Sequence, residues 1–399
     1  MSVAHIPVDT LIMESPRTLI GAGRAAAVAK EAESVARSAF HPVRVLLVVG
    51  TGFSRRPWRG RIVDALRPVR LRVAVQPAMP TPASVARLAG EARAHRADVV
   101  VAVGGGSVMD GAKAAAALAY EPADPTPESV AVACEEGAPA EGVPVVAVPT
   151  TPGTGAEATS FATVWDVDRG RKLSLRGDSV LPAVAILDPD LLLGLPGPQL
   201  TCGLLDTFAQ ALEGAWSTRA DARAEALGAA AWARLSWLLD RPYRSLEAPA
   251  ASEREAVLLA GHYAGRAIAV AGTTVCHALS YPLTLRYGLN HGQACGVTLG
   301  RVLRYNAAVE DGDCADARGA GRVRAAIAGV VAAAGADDAF TLARRIEAFL
   351  ASADLPPVPD LRPDAARIAA EALGYDRAGN NPRRLSIKSL THLLTTTAP

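Results

Sequence analysis

The stretch ADVVVAVGGGSVMDGAK, residues 97–113, decides the fold class. Its first half is a run of valine and alanine with no polar residue between Val99 and Val103. Such a run is typical of a strand that is buried on both faces of a sheet. Three consecutive glycines, Gly104–Gly106, then lead into a segment with helical character. A buried strand, a glycine turn and a helix in immediate succession form the repeating unit of a parallel α/β sheet.

Similar apolar runs flank this stretch on both sides and are separated by helical segments. The runs are Val43–Gly50, Leu71–Gln76, Val143–Thr151 and Ala183–Pro189. The segment Thr81–Arg96 has a proline near its start and a helical pattern after it, as expected for the first turn of a helix. The alternation predicts a doubly wound, mostly parallel sheet with helices between its strands.

The pattern changes after Leu195. Runs of β-branched residues become rare, and Ala-, Leu- and Arg-rich segments with a 3.6-residue period continue to the C-terminus. A chain of 399 residues is also long enough for two cores. We therefore predict an α/β domain over residues 1–195 and an all-α domain over residues 196–399, with the boundary near Leu195 and Pro196.

Composition favours small-molecule chemistry. The 41 basic and 40 acidic residues leave a formal net charge of +1, so no global field attracts nucleic acid or an anionic membrane. The five cysteines are scattered without a C-x-x-C pair, which indicates a reducing compartment. The N-terminal sequence lacks the pattern of a secretory signal, and the apolar runs fall short of the roughly 20 residues that span a bilayer. A cytoplasmic protein is expected.

The glycine stretch is the first candidate binding site. Gly105 and Gly106 allow close approach of a ligand, and the helix that begins near Ser107 offers free N–H groups to a phosphate. The motif is not G-x-G-x-x-G, so the usual dinucleotide fingerprint is absent. A plain strand-to-helix turn is the alternative, although one glycine suffices for a turn. Asp110, one helical turn further on, is placed to accept hydrogen bonds from the loop or from a nicotinamide amide.

A second loop follows the next predicted strand in VPTTPGTGAEAT, residues 148–159. Its hydroxyls at Thr150, Thr151 and Thr154 suit a ribose or a diphosphate, on the edge where open α/β sheets bind ligands. A local turn stabilised by threonine hydroxyls explains the loop equally well when it is taken alone. Together with the glycine loop it predicts the second wall of a nucleotide cleft.

Four residues of the helical half form a candidate metal site. Asp206 and Gln210 are four residues apart, hence on one helix face, and His277 and His291 lie further along the chain. Each one alone is more often an ordinary polar residue. As a set they provide the nitrogen and oxygen donors that suit Fe²⁺ or Zn²⁺. Cys276 adjoins His277 but is expected to pack in the core.

These motifs together resemble the iron-containing, or group III, alcohol dehydrogenase family, in the same order and over nearly the whole chain. They are GGGS-x-x-D-x-x-K, PTT-x-GTG-x-E-x-T, the K-x-x-L to ILDP segment of residues 172–189, D-x-x-x-Q and H-x13-HG. The resemblance implies an N-terminal dinucleotide-binding domain, a C-terminal helical domain that binds metal and substrate, and a divalent metal between them. The implied chemistry is reduction of a small aldehyde by NADH or NADPH.

The resemblance also implies roles for individual residues. The matching cofactor contacts are Gly105, Gly106, Ser107, Asp110, Thr150, Thr151, Thr154 and Lys172. Asp206, His277 and His291 match three of the four metal ligands. The fourth ligand of the family is histidine, and Gln210 stands in its place here. A carboxamide oxygen can bind a metal, but it is neutral and a weaker donor than imidazole.

Two further positions depart from the family pattern. Many members have a second histidine four residues after the first, with a proton-relay role, and Tyr281 occupies that position here. A phenol can relay a proton, but simple packing is the equal alternative. The first strand of many NAD-preferring members ends in an acidic residue, where this chain has Gly50 and Thr51. Without that charge, and with Arg55 or Arg56 nearby, use of NADPH becomes credible.

Within the family, residues 264–294 and 379–386 look most like the phosphonoacetaldehyde reductases, which form 2-hydroxyethylphosphonate in phosphonate natural-product pathways. Arg266 stands where that subfamily is expected to have a basic residue, and its donors suit a phosphonate. Gly272 stands where a second cation is expected. His277, Tyr281 and Arg266 are thus the candidate catalytic residues. Alternatives are a maleylacetate or short-chain aldehyde reductase, a lyase similar to 3-dehydroquinate synthase, and a metal-free relative. The family resemblance also suggests a homodimer.

Overall fold

The computed structural model describes residues 16–36, 42–121, 124–241 and 249–396. The chain forms two compact units. Among the described residues, those from 16 to 195 and Ala250–Leu258 form the first unit, and the others form the second.

The first unit is an α/β structure. Its strands are β1 Arg17–Ile20, β2 Arg44–Gly50, β3 Arg70–Gln76, β4 Val99–Gly104, β5 Val145–Pro149, β6 Phe161–Asp166, β7 Arg171–Arg176 and β8 Val184–Leu187. Its helices are α1 Val28–Val35, α2 Arg59–Ala65, α3 Pro82–His95, α4 Gly106–Leu118 and α5 Pro127–Glu136. Six strands form one sheet in the order β1-β8-β5-β4-β2-β3, and every neighbouring pair is parallel. The predicted doubly wound parallel sheet is confirmed.

The central strands of this sheet are covered on both faces, which explains their unbroken apolar runs, whereas the edge strand β3 is largely exposed. Along β2, Leu46 and Val48 belong to one buried cluster, which includes residues of α3 and α4. Val45 and Leu47 point to the opposite face and belong to a second cluster, which includes Ile62 of α2. Because the side chains of a strand alternate between faces, a strand buried on both sides has to be apolar at every position.

The strand order predicts a ligand site at the carboxyl ends of β2 and β4. β4 lies between β2 and β5, and β3 lies on the far side of β2. The chain therefore reverses its direction of travel across the sheet between β2 and β4, and open α/β sheets bind ligands where the strand order reverses in this way. The loops that follow β2 and β4 contain Gly50 and the glycine stretch respectively. β6 and β7 form a separate antiparallel hairpin that the sequence patterns did not predict.

The second unit is helical in its described part, as predicted. Its helices are α6 Gly197–Trp216, α7 Ala222–Leu235, α8 Ala251–Ala271 (which begins in the first unit), α9 Val275–Tyr287, α10 His291–Ala307, α11 Ala320–Ala333, α12 Ala339–Ser352, α13 Ala365–Leu373 and α14 Ile387–Thr395. α6 lies at the centre, and its Phe208 ring stacks on Trp232 with 4.6 Å between the ring centroids. No single described helix is long and apolar enough to cross a membrane; α8 and α9 meet that test only jointly, across a 107° bend.

Candidate metal centre and cofactor loops

The two predicted cofactor loops pack directly against each other. A Cβ atom on Gly105 would lie 2.9 Å from the Thr151 hydroxyl oxygen, and a Cβ atom on Gly106 would lie 2.4 Å from a Thr154 methyl carbon. Real side chains do not tolerate such separations, so the glycines are needed for this contact between loops. The structure thus brings together the two walls that the sequence predicted.

Helix α4 starts at this contact. Val108 and Met109 donate their backbone N–H groups to the Gly105 carbonyl, whereas Gly106 and Ser107 have no backbone acceptor among the described residues. Free N–H groups at a helix N-terminus attract a phosphate. The geometry therefore fits the expected diphosphate-binding role of Gly105, Gly106 and Ser107.

Asp110 and two lysines form a charged group behind the loops. Asp110 accepts a hydrogen bond from the Thr163 backbone N–H at 3.0 Å, and its carboxylate lies 3.6 Å from the Lys113 ammonium. Lys113 is fully buried and donates to the carbonyls of Ala156 and Phe161 at 2.8 and 2.6 Å. Lys113 thereby fixes the end of the threonine loop. Burial raises the pKa of Asp110, against the opposing charges of Lys113 and Lys172.

Lys172 lies on the β6–β7 hairpin and donates to the Ser174 hydroxyl at 2.6 Å. Gly50 adjoins the start of α4, since a Cβ atom there would lie 3.2 Å from a Val108 methyl carbon. Of the two arginines after β2, Arg56 hydrogen-bonds the Gly194 carbonyl, while Arg55 is exposed. Arg55 is thus the better candidate for contact with a 2′-phosphate.

Four donor groups of the helical unit converge on one point. They belong to Asp206 on α6, His277 on α9, and His291 and Cys295 on α10, and one ligand atom from each lies within 4.8 Å of all the others. His277 Nε2 and His291 Nε2 lie 3.3 and 4.0 Å from Asp206 Oδ1. The sequence predicted three members of this cluster and missed Cys295.

Each histidine is oriented through its second ring nitrogen. Glu213 is fully buried one helical turn beyond Gln210 and hydrogen-bonds His277 Nδ1. Ser280 donates its hydroxyl to the His277 carbonyl at 2.7 Å and so accepts from His291 Nδ1 at 3.2 Å. Both imidazoles therefore present Nε2 to the cluster. Carboxylate and hydroxyl groups behind metal-binding histidines commonly fix the tautomer in this way.

Glu213 also holds the start of α9. Its Oε1 accepts from the Thr274 hydroxyl and from the Cys276 backbone N–H, both at 2.7 Å. A carboxylate at a helix N-terminus accepts hydrogen bonds from free N–H groups and interacts favourably with the positive end of the helix dipole. The sequence reasoning missed Glu213, although it follows Asp206 by seven residues and hence shares its helix face.

The position of His291 depends on close contact between α10 and α6. Asn290 caps α10 by accepting from the Gly292 N–H at 3.1 Å. A Cβ atom on Gly292 would lie 1.8 Å from the Cys202 carbonyl oxygen. Only glycine permits this approach, which brings His291 to Asp206, one turn beyond Cys202.

Electrostatics in the cluster favour bound positive charge. Burial opposes ionisation of Asp206 and Glu213, but hydrogen bonds and charges from His277 and its neighbours outweigh burial and lower the pKa of both carboxyls. Burial also raises the pKa of Cys295, yet His277 and His291 outweigh it and lower that pKa to about 7. Ionised oxygen and sulfur donors beside two imidazoles match the chemistry of a divalent-metal site.

Gln210 lies at the edge of this cluster. Its Nε2 donates to Asp206 Oδ1 at 3.1 Å, so the two side chains share one helix face, as their spacing predicted. Its Oε1 is buried and accepts no hydrogen bond from the described residues. A buried polar oxygen without a partner is costly, and a cation is one group that would satisfy it. Cys276 is fully buried, as predicted, and burial raises the pKa of its thiol well above the ordinary value.

Tyr281 connects the cluster to a second group of side chains. Its ring is parallel to that of His291, with 6.2 Å between centroids, and the Tyr375 ring packs edge-on against it at 4.9 Å. Burial raises the pKa of the Tyr281 hydroxyl, while the charge of Arg377 acts in the opposite direction. Arg377 follows Tyr375 by two residues, so a cation adjoins the group that packs on the predicted catalytic tyrosine; no sequence motif predicted it.

Arg377 lies beside Gly272, the position where the resemblance leads us to expect a second cation. Gly272 has φ +70° at the end of α8, and a Cβ atom there would lie 3.0 Å from the Asn380 amide nitrogen. Arg377 donates to the neighbouring Thr273 hydroxyl at 2.6 Å. The loop after α13 therefore supplies positive charge beside the position where the sequence lacks it. Arg266 is buried on α8, and its catalytic role stays a prediction.

Comparison with known proteins decides the family. The sequence profile of iron-containing alcohol dehydrogenases matches residues 15–189, and that of the C-terminal region of Fe-containing alcohol dehydrogenases matches residues 201–398. This chain belongs to the iron-containing alcohol dehydrogenase family. It is therefore an oxidoreductase that links a nicotinamide dinucleotide to the reduction of an aldehyde, with a divalent metal as its second cofactor. The predicted fold, enzyme class and cofactors are confirmed.

Individual relatives narrow the comparison. The chain is 50% identical over 355 residues to the phosphonoacetaldehyde reductase of Streptomyces viridochromogenes, covering 88% of this chain and 89% of that one. A sulfoacetaldehyde reductase from Bifidobacterium kashiwanohense, solved in complex with NAD⁺, superimposes with a TM-score of 0.81 at 26% identity, covering 96% of this chain and 98% of that one. An archaeal alcohol dehydrogenase from a Red Sea brine pool shares the fold, with a TM-score of 0.79 at 22% identity and coverage of 95% and 96%.

The residues of this iron-containing alcohol dehydrogenase fit the metal of its family. Asp206, His277 and His291 would hold the ion, since their donor atoms already converge and both imidazoles present Nε2. The fourth family position is Gln210, whose unpartnered Oε1 and whose hydrogen bond to Asp206 leave two roles open, ligand or support of a ligand.

Proposed function

We propose that this enzyme reduces phosphonoacetaldehyde to 2-hydroxyethylphosphonate with NADH or NADPH. The observation that carries the proposal is the 50% identity to a phosphonoacetaldehyde reductase over 88% of the chain. The solved relative at 26% identity acts on sulfoacetaldehyde, by its name. Both named substrates combine a two-carbon aldehyde with a tetrahedral acid group, so a small anionic aldehyde is the substrate class in common.

The side chains near the metal cluster support an anionic substrate. Arg377 donates to the hydroxyl of Thr273, just before the start of α9, and Tyr281 of the same helix packs on the predicted metal ligand His291. A guanidinium offers a planar fork of donors that matches the oxygens of a phosphonate. We propose that Arg377 binds the phosphonate, together with Arg266 as expected from the sequence.

In the proposed reaction, the metal, the nicotinamide and a few side chains have separate roles. When bound, the divalent ion would supply Lewis acidity to the aldehyde carbonyl, and the reduced nicotinamide would supply the hydride. Glu213 and Ser280 hold the imidazoles of His277 and His291 in the orientation that the ion needs. The carbonyl oxygen takes its proton from the Tyr281 hydroxyl, a ribose hydroxyl or water. No nucleophile in the chain is required.

Replacement of Arg377 by alanine tests the substrate class. Because a hydrogen bond to a charged group contributes about 1.5–3 kcal/mol, we expect kcat/KM for phosphonoacetaldehyde to fall roughly 10- to 100-fold. Propionaldehyde has no phosphonate and so loses no charged hydrogen bond in this variant. Its kcat/KM should therefore fall less than about threefold. Arg367→Ala, at an exposed position of α13, is the matched control and should leave both values unchanged. Equal losses for both aldehydes in Arg377→Ala would exclude phosphonate binding by Arg377.

The alternative is that the enzyme reduces maleylacetate or short-chain aldehydes instead. The same assay, run with those substrates, would show a higher kcat/KM for one of them. The relatives described above are reductases and a dehydrogenase, which favours net reduction over a lyase reaction or a non-catalytic role. A place in phosphonate natural-product biosynthesis is part of the proposal. The cytoplasmic location and the homodimer expected from the sequence stay predictions.

A further inference from the structure

We propose that Cys295 is the fourth protein ligand of the metal, in the role that a histidine has in the family and that Gln210 would otherwise have to fill. The centre would then consist of Asp206, His277, His291 and Cys295. This inference rests on the metal site and is independent of which aldehyde is the substrate.

The distances support one ion held by all four groups. Metal–ligand bonds of about 2.0–2.3 Å place the donors of a tetrahedral site roughly 3.3–3.8 Å apart. His277 Nε2 lies 3.3 Å from Asp206 Oδ1, and His291 Nε2 lies 4.0 Å from it. Cys295 Sγ lies 4.0 Å from His291 Nε2. These three separations are within that range or a few tenths of an ångström above it, and all four donor atoms lie within 4.8 Å of one another.

The position of Cys295 on α10 places its thiol in the cluster. Cys295 follows His291 by one helical turn on α10, so both side chains share one helix face. It is fully buried. Cys276 is equally buried and adjoins His277 in sequence, yet it is not a member of the group of donors. Among the described residues, Cys295 is thus the cysteine that the fold places in the site.

Charge and donor type favour the thiolate over the carboxamide. A metal-bound thiol loses its proton, so Asp206 and Cys295 together would balance the two positive charges of the ion. Gln210 is neutral, and its N–H group donates to Asp206; with Cys295 as the fourth ligand, Gln210 has the supporting role of positioning that carboxylate. A sulfur donor beside imidazoles shifts preference from Fe²⁺ towards Zn²⁺.

Cobalt spectroscopy tests the assignment without any turnover. The full-length protein is stripped with a chelator and titrated with Co²⁺, which reports sulfur ligation as a thiolate-to-cobalt charge-transfer band in the near ultraviolet. We expect this band at one equivalent of Co²⁺ in the wild type. Cys295→Ser should lose the band and bind Co²⁺ roughly tenfold or more weakly. Gln210→Ala and the matched control Cys276→Ser should both keep it.

Two results would overturn the proposal. One is a wild-type cobalt protein without the charge-transfer band, which needs no variant and so does not depend on the folding of Cys295→Ser. The other is a Cys295→Ser protein with native circular dichroism that retains the band. Failure of the protein to turn over phosphonoacetaldehyde would leave this result unchanged, because no aldehyde enters the experiment.

Discussion

At the scale of the residue, the metal cluster is built from pairs one helical turn apart. His291 and Cys295 share a face of α10, and Asp206 shares a face of α6 with Gln210 and Glu213. Each histidine of the cluster is in turn held by a hydrogen bond with a second side chain, Glu213 or Ser280. Glu213 joins His277 to the N-terminus of α9, so the orientation of the imidazole and the start of its helix depend on one carboxylate.

Replacement of Glu213 by glutamine tests that dependence. The variant removes the negative charge behind His277, and loss of such a partner typically weakens metal binding about 10- to 100-fold. Competition for Zn²⁺ against a chromophoric chelator measures the affinity. Glu225→Gln removes the charge of a carboxylate of α7 that pairs with Arg322 of α11 outside the donor cluster; it is the matched control and should bind Zn²⁺ normally. An unchanged affinity in Glu213→Gln would show that His277 does not need this carboxylate.

At the scale of the element, glycines set the distances on which both sites depend. Gly105 and Gly106 allow the glycine loop to contact the threonine loop, and Gly292 allows α10 to contact α6. The sequence pattern predicted that the glycine stretch makes room for a ligand. The structure adds that the same glycines make room for Thr151 and Thr154.

Gly292→Ala should therefore displace α10 from α6. Its Cβ atom would meet the Cys202 carbonyl oxygen at 1.8 Å, and overpacking of this kind costs about 3 kcal/mol at the upper end of its usual range. We expect a lower melting temperature and loss of tight Zn²⁺ binding, measured by calorimetry and by chelator competition. The control is Gly321→Ala in α11, where no atom lies within 4 Å of the added Cβ. A Gly292→Ala protein as stable as the control would contradict the packing argument.

In the parallel sheet, a pH-dependent ion pair links the start of β2 to the residue before β4. Asp98, just before β4, accepts hydrogen bonds from the backbone and the guanidinium of Arg44 at the start of β2. Burial acts to raise the pKa of Asp98, but these bonds outweigh it and lower that pKa. A lowered pKa stabilises the folded state above the unfolded pKa of about 3.9, and this stabilisation is lost as the pH falls through the folded value.

Asp98→Asn should lower the free energy of unfolding by about 1–3 kcal/mol at pH 7. The difference in melting temperature between wild type and variant should then shrink as the pH falls below about 4, because the wild-type carboxylate becomes protonated. Calorimetry across this range measures both. A difference that stays constant down to about pH 3 would show that the ionised carboxylate is not the source of the stabilisation.

Elements with a strong period were predictable from the sequence, and short or marginal ones were not. The five apolar runs became β2, β3, β4, β5 and β8. Burial on both faces explains the unbroken signal of β2, β4, β5 and β8, whereas β3 is a largely exposed edge strand that its β-branched residues alone made recognisable. β1 has only four residues at one edge of the sheet and gives no such signal. The β7 sequence RKLSLR does alternate polar and apolar residues, and this pattern was available but unused.

At the scale of the whole molecule, each unit carries a different part of the chemistry. The α/β unit holds the cofactor loops, and the helical unit holds the metal cluster, Tyr281 and Arg377. Sequence spacing identified Asp206, His277 and His291, since a family pattern connects them. Arg377 could not be found in this way, because 100 residues separate it from His277 and only the tertiary fold brings it to Tyr281.

The central claim is that the enzyme reduces a phosphonate-bearing aldehyde. The most direct measurement compares kcat/KM of the zinc- or iron-loaded wild type for phosphonoacetaldehyde and for propionaldehyde, followed by oxidation of NADPH and NADH. If a charged donor such as Arg377 binds the phosphonate, we predict a preference of roughly tenfold or more for phosphonoacetaldehyde with at least one of the two cofactors. Equal or greater efficiency with propionaldehyde would contradict the account.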